Sequence, residues 1–97
     1  MFKQRIPRAK FSPGQLVVTN ACKNALHASG DRIVPLLLRH CQGDWGDIDD
    51  QSRTCNEDAL KRGLRLLSVY TLSNGTNVLV ITEGDRSVTT FLRPYDE

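Results

Sequence analysis

Two periodicities divide this chain. Up to residue 63 the apolar residues recur at three- and four-residue intervals between capping residues and glycines, and from Leu64 onward they alternate with polar ones. The first half therefore predicts helices and the second antiparallel strands. Ser12-Pro13-Gly14 reads as a turn, and Gln15 to Thr19 as a short strand. Thr19 or Asn20 can cap a helix over about 21–28 that gathers Cys22, Ala25 and Leu26 on one side and stops at Gly30. Asp31 can cap a second helix reaching Cys41, with Pro35 tolerated in its first turn and Gly43 closing it. Residues 43–53 are acidic and flanked by glycine, so they predict a loop. Thr54 and Glu57 form a capping box that opens a third helix, and Gly63 ends it. Glu57–Lys61 and Asp58–Arg62 are i,i+4 pairs on its wet face.

Strands follow over 64–72, 77–83 and 86–92. They are joined at Asn74-Gly75, a strong hairpin signal, and near Gly84-Asp85, and Pro94 stops the ladder. The fold class is α+β: a short N-terminal strand and three helices, then a three-stranded antiparallel meander, the first strand adding to the sheet edge. If both turns are two-residue loops, Leu66, Glu83 and Arg86 stand in one cross-strand row, followed by Ser68, Ile81 and Val88; the second turn is the weaker assumption, and slipping it by one residue would invert the third strand. Both faces contain apolar residues. Helices are expected over one, with a loop or a partner against the other.

Ninety-seven residues suffice for one domain, and 39% hydrophobic with 25% charged residues is an ordinary globular composition. The division expected is a basic flexible arm over 1–10 and a single domain over 11–95. A net charge of +2 is too mild to imply nucleic-acid binding by itself. Its distribution changes the picture: Lys3, Arg5, Arg8 and Lys10 make the arm purely basic and give nucleic acid a possible contact, whereas Asp44, Asp47, Asp49 and Asp50 cluster in the acidic loop. Cys22, Cys41 and Cys55 form no disulfide framework, and with no bilayer-length apolar stretch and no secretory signal the chain reads as cytoplasmic.

Few residues offer chemistry. His40, with Asp44 and Asp47, stands where a helix C-terminus favours imidazolium; it reads as a general acid or base or, more plainly, as a cap on the last carbonyls. Trp45, between two glycines, is a plug for the acidic loop or an exposed platform, and the plug is the simpler role. The aspartates lack calcium-loop spacing, and the cysteines and histidines lack paired ligand spacing, so neither metal nor cofactor is expected. Glu83 and Arg86, with Asp85, Ser87 and Thr89, read as an anion clamp or as a cross-strand ion pair among β-favouring hydroxyls.

The run Arg39-His40-Cys41-Gln42-Gly43-Asp44-Trp45-Gly46 and the run Ile81-Thr82-Glu83-Gly84-Asp85-Arg86-Ser87-Val88-Thr89-Thr90 together resemble a family of small bacterial "plasmid-related" proteins of plasmids and integrated mobile elements. The resemblance covers about residues 11–95. It implies association with a mobile element and no established biochemistry. The function expected is a non-enzymatic interaction module for a protein partner, serving regulation, maintenance or defence interference, with Asp44, Trp45, Asp47, Asp85, Arg86, Ser87 and Thr89 as binding residues. The alternatives are a metal-independent hydrolase or nuclease using His40 and Arg86 with Glu83, and an anion-binding regulatory domain. All three place the tryptophan loop beside the bend before the last strand.

Overall fold

The computed structural model describes residues 6–95. The elements are β1 (Gln15–Val18), α1 (Asn20–Ser29), α2 (Ile33–Cys41), α3 (Asp50–Arg62), β2 (Leu66–Thr71), β3 (Asn77–Thr82) and β4 (Val88–Leu92). They form an α+β fold of three helices and a four-stranded mixed sheet ordered β1-β4-β3-β2. β1 adds to the sheet edge as expected, and because it pairs in parallel with β4 along its whole length the antiparallel β2–β3–β4 meander becomes part of a mixed sheet. Parallel strands need a long crossover, and here everything between β1 and β4 supplies it.

The helices start and stop for local reasons. Thr19 accepts the Cys22 amide at the head of α1, and Gly30 ends it in the left-handed region. α2 has Arg32 at its N-cap with no side-chain bond there; Asp31 instead accepts the Ser73 amide and hydroxyl, tying the distant hairpin to the start of α2. α3 begins at Asp50 rather than Thr54, because Asp49 takes the Ser52 amide at 2.7 Å and wins as the cap. Thr54 is left inside the helix, where its hydroxyl donates to the Asp50 carbonyl, and Glu57 turns outward to the Trp45 indole. Of the two surface pairs expected on this helix, Arg62–Asp58 forms, at 3.2 Å.

Turn lengths set the register. Gly75 donates to Leu72 and Leu72 to Thr76, so the first hairpin encloses the three residues Ser73, Asn74 and Gly75 rather than two. That one-residue change puts Ser68 opposite Val80 and reverses β2 relative to the expected rows. Between β3 and β4, Glu83 donates to Val88 across a four-residue bend, so Ile81 faces Thr90 rather than Val88. This shift is even, so it leaves the faces of β4 unchanged relative to β3.

One face of the sheet carries Leu16, Val18, Leu66, Ser68, Tyr70, Val78, Val80, Thr82, Thr89 and Phe91, and all three helices pack on it. α1 and α2 bury Cys22, Ala25, Leu26, Leu36, Leu37 and Cys41 there, while Ala59 of α3 joins Trp45 and Leu66 in a second cluster. The first cluster includes Ile6, only 7% exposed. Lys10 donates its amide to the Cys41 carbonyl, and Gln42 binds the Pro7 carbonyl. The packed domain therefore begins before residue 11, with apolar Ile6 as its anchor; the Lys3 and Arg5 portion of the expected arm lies outside the described residues.

The opposite face carries Val17, Leu67, Val69, Leu79, Ile81, Val88, Thr90 and Leu92. None of them belongs to either core cluster, and no described helix packs on that side. No helix among the described residues is long and apolar enough to cross a membrane.

Candidate functional site

α2 and the bend between β3 and β4 do meet, and Phe11 is the joint between them. Its ring stacks on Trp45 at 6.4 Å, meets the His40 ring edge-on at 5.2 Å, and lies 5.6 Å beneath the Arg86 guanidinium. His40 and Trp45 are themselves edge-to-face at 5.8 Å. The two polar motifs thus share a neighbourhood, arranged as a packed aromatic stack.

His40 is wholly buried, and both ring nitrogens are bonded: Nδ1 to the Ser68 hydroxyl at 2.6 Å and Nε2 to the Thr82 hydroxyl at 2.8 Å. Thr82 continues to Thr89 at 2.6 Å, and Thr89 donates to the Pro13 carbonyl at 2.7 Å. Because that carbonyl can only accept, the protons from Thr89 back to Nε2 are assigned. Thr89 gives its proton to Pro13, Thr82 gives its own to Thr89, and Nε2–H donates to Thr82. With the buried ring neutral, Nδ1 then accepts from Ser68. Burial, with a smaller contribution from the Arg86 charge, pushes the His40 pKa down to about 3. The imidazolium expected from the helix C-terminus is overturned, because desolvation outweighs the helix dipole. A serine next to a histidine looks like a nucleophile and base, but neither reaches solvent.

Arg86 has a positive φ of 62°, rare for a residue with a side chain, and its guanidinium explains how that is held. Nη1 donates to Leu64 O at 2.6 Å and to Glu83 O at 3.2 Å, and Nη2 to Ala59 O at 3.1 Å. It caps the last turn of α3 and ties it to the bend. Neither an ion pair with Glu83 nor an anion clamp forms: Glu83 pairs instead with Arg65 at 3.3 Å, and the bend is too wide to set Glu83 across from Arg86. Asp85 accepts the Ser87 amide inside the bend, and Thr89 is buried in the His40 chain. Arg86→Ala should lower stability by about 2–3 kcal/mol, since three carbonyls lose a charged donor. Arg86→Gly should recover about 1 kcal/mol of that by removing the left-handed strain. Thermal melts of the two variants check the order.

The acidic loop has a structural task of its own. Asp44 holds Arg39 at 2.8 Å, which keeps the Asp44 carboxyl below its ordinary pKa, and Arg39 lies over the Tyr70 ring at 4.5 Å. Trp45 is 1% exposed and donates to Glu57, so it is the plug rather than a platform. The loop backbone docks on the outer edge of β2, where Val69 donates to Trp45 O at 3.1 Å and accepts from the Asp47 amide at 2.7 Å. The Asp47 carboxylate takes the Thr71 hydroxyl. Beside it, the Asn56 side chain donates to Leu67 O at 2.7 Å and accepts from Leu67 N at 3.1 Å, as a neighbouring strand would. Among the described residues no group of His, Cys, Asp and Glu side chains could hold a metal ion.

Phe11, Asn56, Ser68 and Thr82 take no site role from the sequence alone. A polar residue inside each apolar strand, at Ser68 and Thr82, was the available signal for a buried partner.

Compared with known proteins, the chain matches no family model, no curated protein and no solved structure.

Proposed function

We propose that this chain is a non-enzymatic interaction module that works in the cytoplasm for a mobile element by binding a host or plasmid-encoded protein through the sheet face that no described helix covers. The observation that carries this reading is that face: no helix among the described residues packs on it, Val17 is 42% exposed, and Leu67, Val69, Leu79 and Val88 are half-buried around the buried Ile81 and Leu92. Apolar side chains left partly accessible on a sheet face commonly mark a contact site. The link to a mobile element rests on the two-motif resemblance and on nothing in the geometry.

What weighs against hydrolysis is the state of the groups it would need. His40 is inaccessible and poorly basic, Arg86 is committed to carbonyls, and Glu83 serves Arg65. The anion-binding reading loses the same arginine. The binding site moves accordingly, from the bend and the tryptophan loop to the open face.

Affinity capture from the host with three baits tests this: the natural chain, Leu79→Lys on the open face, and Arg86→Gly at the bend. A protein partner retained by Arg86→Gly and lost with folded Leu79→Lys is the expected result. A partner indifferent to Leu79→Lys would overturn the choice of face. Nuclease activity abolished by His40→Ala in a folded protein would overturn the non-enzymatic reading altogether.

A further inference from the structure

The two edges of the sheet are treated differently. On β2 the outward backbone groups of Leu67 and Val69 are all satisfied, by Asn56 and by the Trp45–Asp47 segment. On β1 the inward donors are Gln15, to Ser87 O, and Thr19, to Phe91 O, both at 3.0 Å. Ladder donors alternate, so the N–H and C=O groups of Leu16 and Val18 point away from β4. No described residue hydrogen bonds to them from that side. An edge left open among the described residues is a template for a further strand.

We propose that this edge pairs antiparallel with β1 of a second copy, about a twofold axis at Val17, to give a continuous eight-stranded sheet. The chemistry of the strand is symmetric about that residue. Gln15-Leu16-Val17-Val18-Thr19 reads polar, aliphatic, valine, aliphatic, polar, with no charge. Inverted on itself, it sets Leu16 opposite Val18 of the second copy twice, as hydrogen-bonded pairs that use the outward groups just described. Val17 then meets Val17 as the non-hydrogen-bonded pair between them, which brings two half-exposed valines together on the open face. No like charges become cross-strand neighbours, as they could with a charged foreign strand, and an isologous contact closes on itself without leaving a new edge. The two uncovered sheet faces also become one surface of twice the width.

This assembly goes beyond the partner-binding reading and stands or falls separately. Sedimentation velocity across a concentration series should show the monomer giving way to a species of twice its mass. Val17→Asp, at an exposed position, should weaken that association by about tenfold or more while leaving the circular dichroism unchanged. In a Cys55→Ser background, Val17→Cys should cross-link into a covalent dimer under mild oxidation, because non-hydrogen-bonded cross-strand pairs have the Cα separation a disulfide needs. Val69→Cys, on the same face beside the sealed edge, should remain monomeric. A chain that stays monomeric at every concentration overturns the proposal, and so does a dimer that cross-links through Val69→Cys and not Val17→Cys. Should Val17→Asp fail to fold, the cysteine comparison decides. Loss of the captured partner with Leu79→Lys, by contrast, reads only the face.

Discussion

Replacing His40 with alanine is expected to destabilise the fold by about 3–5 kcal/mol, a large share of what a domain of this size has to lose. Two costs combine. The buried ring leaves a cavity beneath Trp45 and Phe11, and the Ser68 and Thr82 hydroxyls lose their partner in a dry interior. His40→Leu restores most of the volume and none of the bonds, so it should fall between alanine and the natural chain. Urea unfolding of the three proteins checks the ranking.

The same residue should leave a signature in pH. Its folded pKa of about 3 lies below the ordinary value of 6.5, so the unfolded chain takes up the proton first on acidification. The stability His40 contributes is therefore complete above pH 6.5 and is lost as pH falls from there toward 3. The slope approaches about 1.4 kcal/mol per pH unit, or roughly 2 kcal/mol between pH 6.5 and 4.5. Carboxylates held low by hydrogen bonds, such as Asp31 and Asp49, lose stability in the same direction but lower on the scale. Comparing natural and His40→Leu proteins over this interval isolates the histidine. The leucine variant should be nearly flat between pH 6.5 and 5, and an equal slope in both proteins would mean that the imidazole is not the group responsible.

Class and order of elements were readable from the sequence because they rest on short-range physics. Period, caps and glycine stops are local, and even Trp45 as a plug followed from having nothing else in its loop to anchor it. What the sequence did not disclose depended on small energy differences or on distant partners. Asp49 and Thr54 both offer a capping oxygen, and a reading that favoured the capping box missed one turn of helix. Asn-Gly signals a turn without stating whether two or three residues lie in it, and one residue inverts a face. His40 is the clearest case. Its position predicts a charged cap, whereas strands many residues away supply the hydroxyls and the burial that keep it neutral. The helix-free face was visible only as an excess of apolar positions on both sides of the strands; which side the described helices leave had to come from the fold.

Gly46→Ala should be nearly as damaging as the loss of His40, and Gly75→Ala provides its control. Both glycines have a left-handed φ, 76° at Gly46 and 88° at Gly75, so alanine brings the same backbone strain of about 1 kcal/mol to each. They differ in surroundings. Nothing stands within 4 Å of a Cβ at Gly75, whereas at Gly46 it would come within 2.0 Å of Val69 O and 2.7 Å of the Tyr70 ring. The loop would have to leave β2, giving up the Trp45–Val69 and Asp47–Val69 bonds and loosening the tryptophan, for a total of about 3–5 kcal/mol. Gly75→Ala should shift the urea midpoint slightly, and Gly46→Ala should shift it several times further. The unsealed β2 edge adds a second readout, since a free strand edge invites pairing between molecules. Gly46→Ala should therefore form higher oligomers on concentration, and Val17→Asp should not suppress them, because they grow from the other side of the sheet. Equal shifts for the two alanines would mean that the loop does not press on β2 and that the edge is sealed by Asn56 alone.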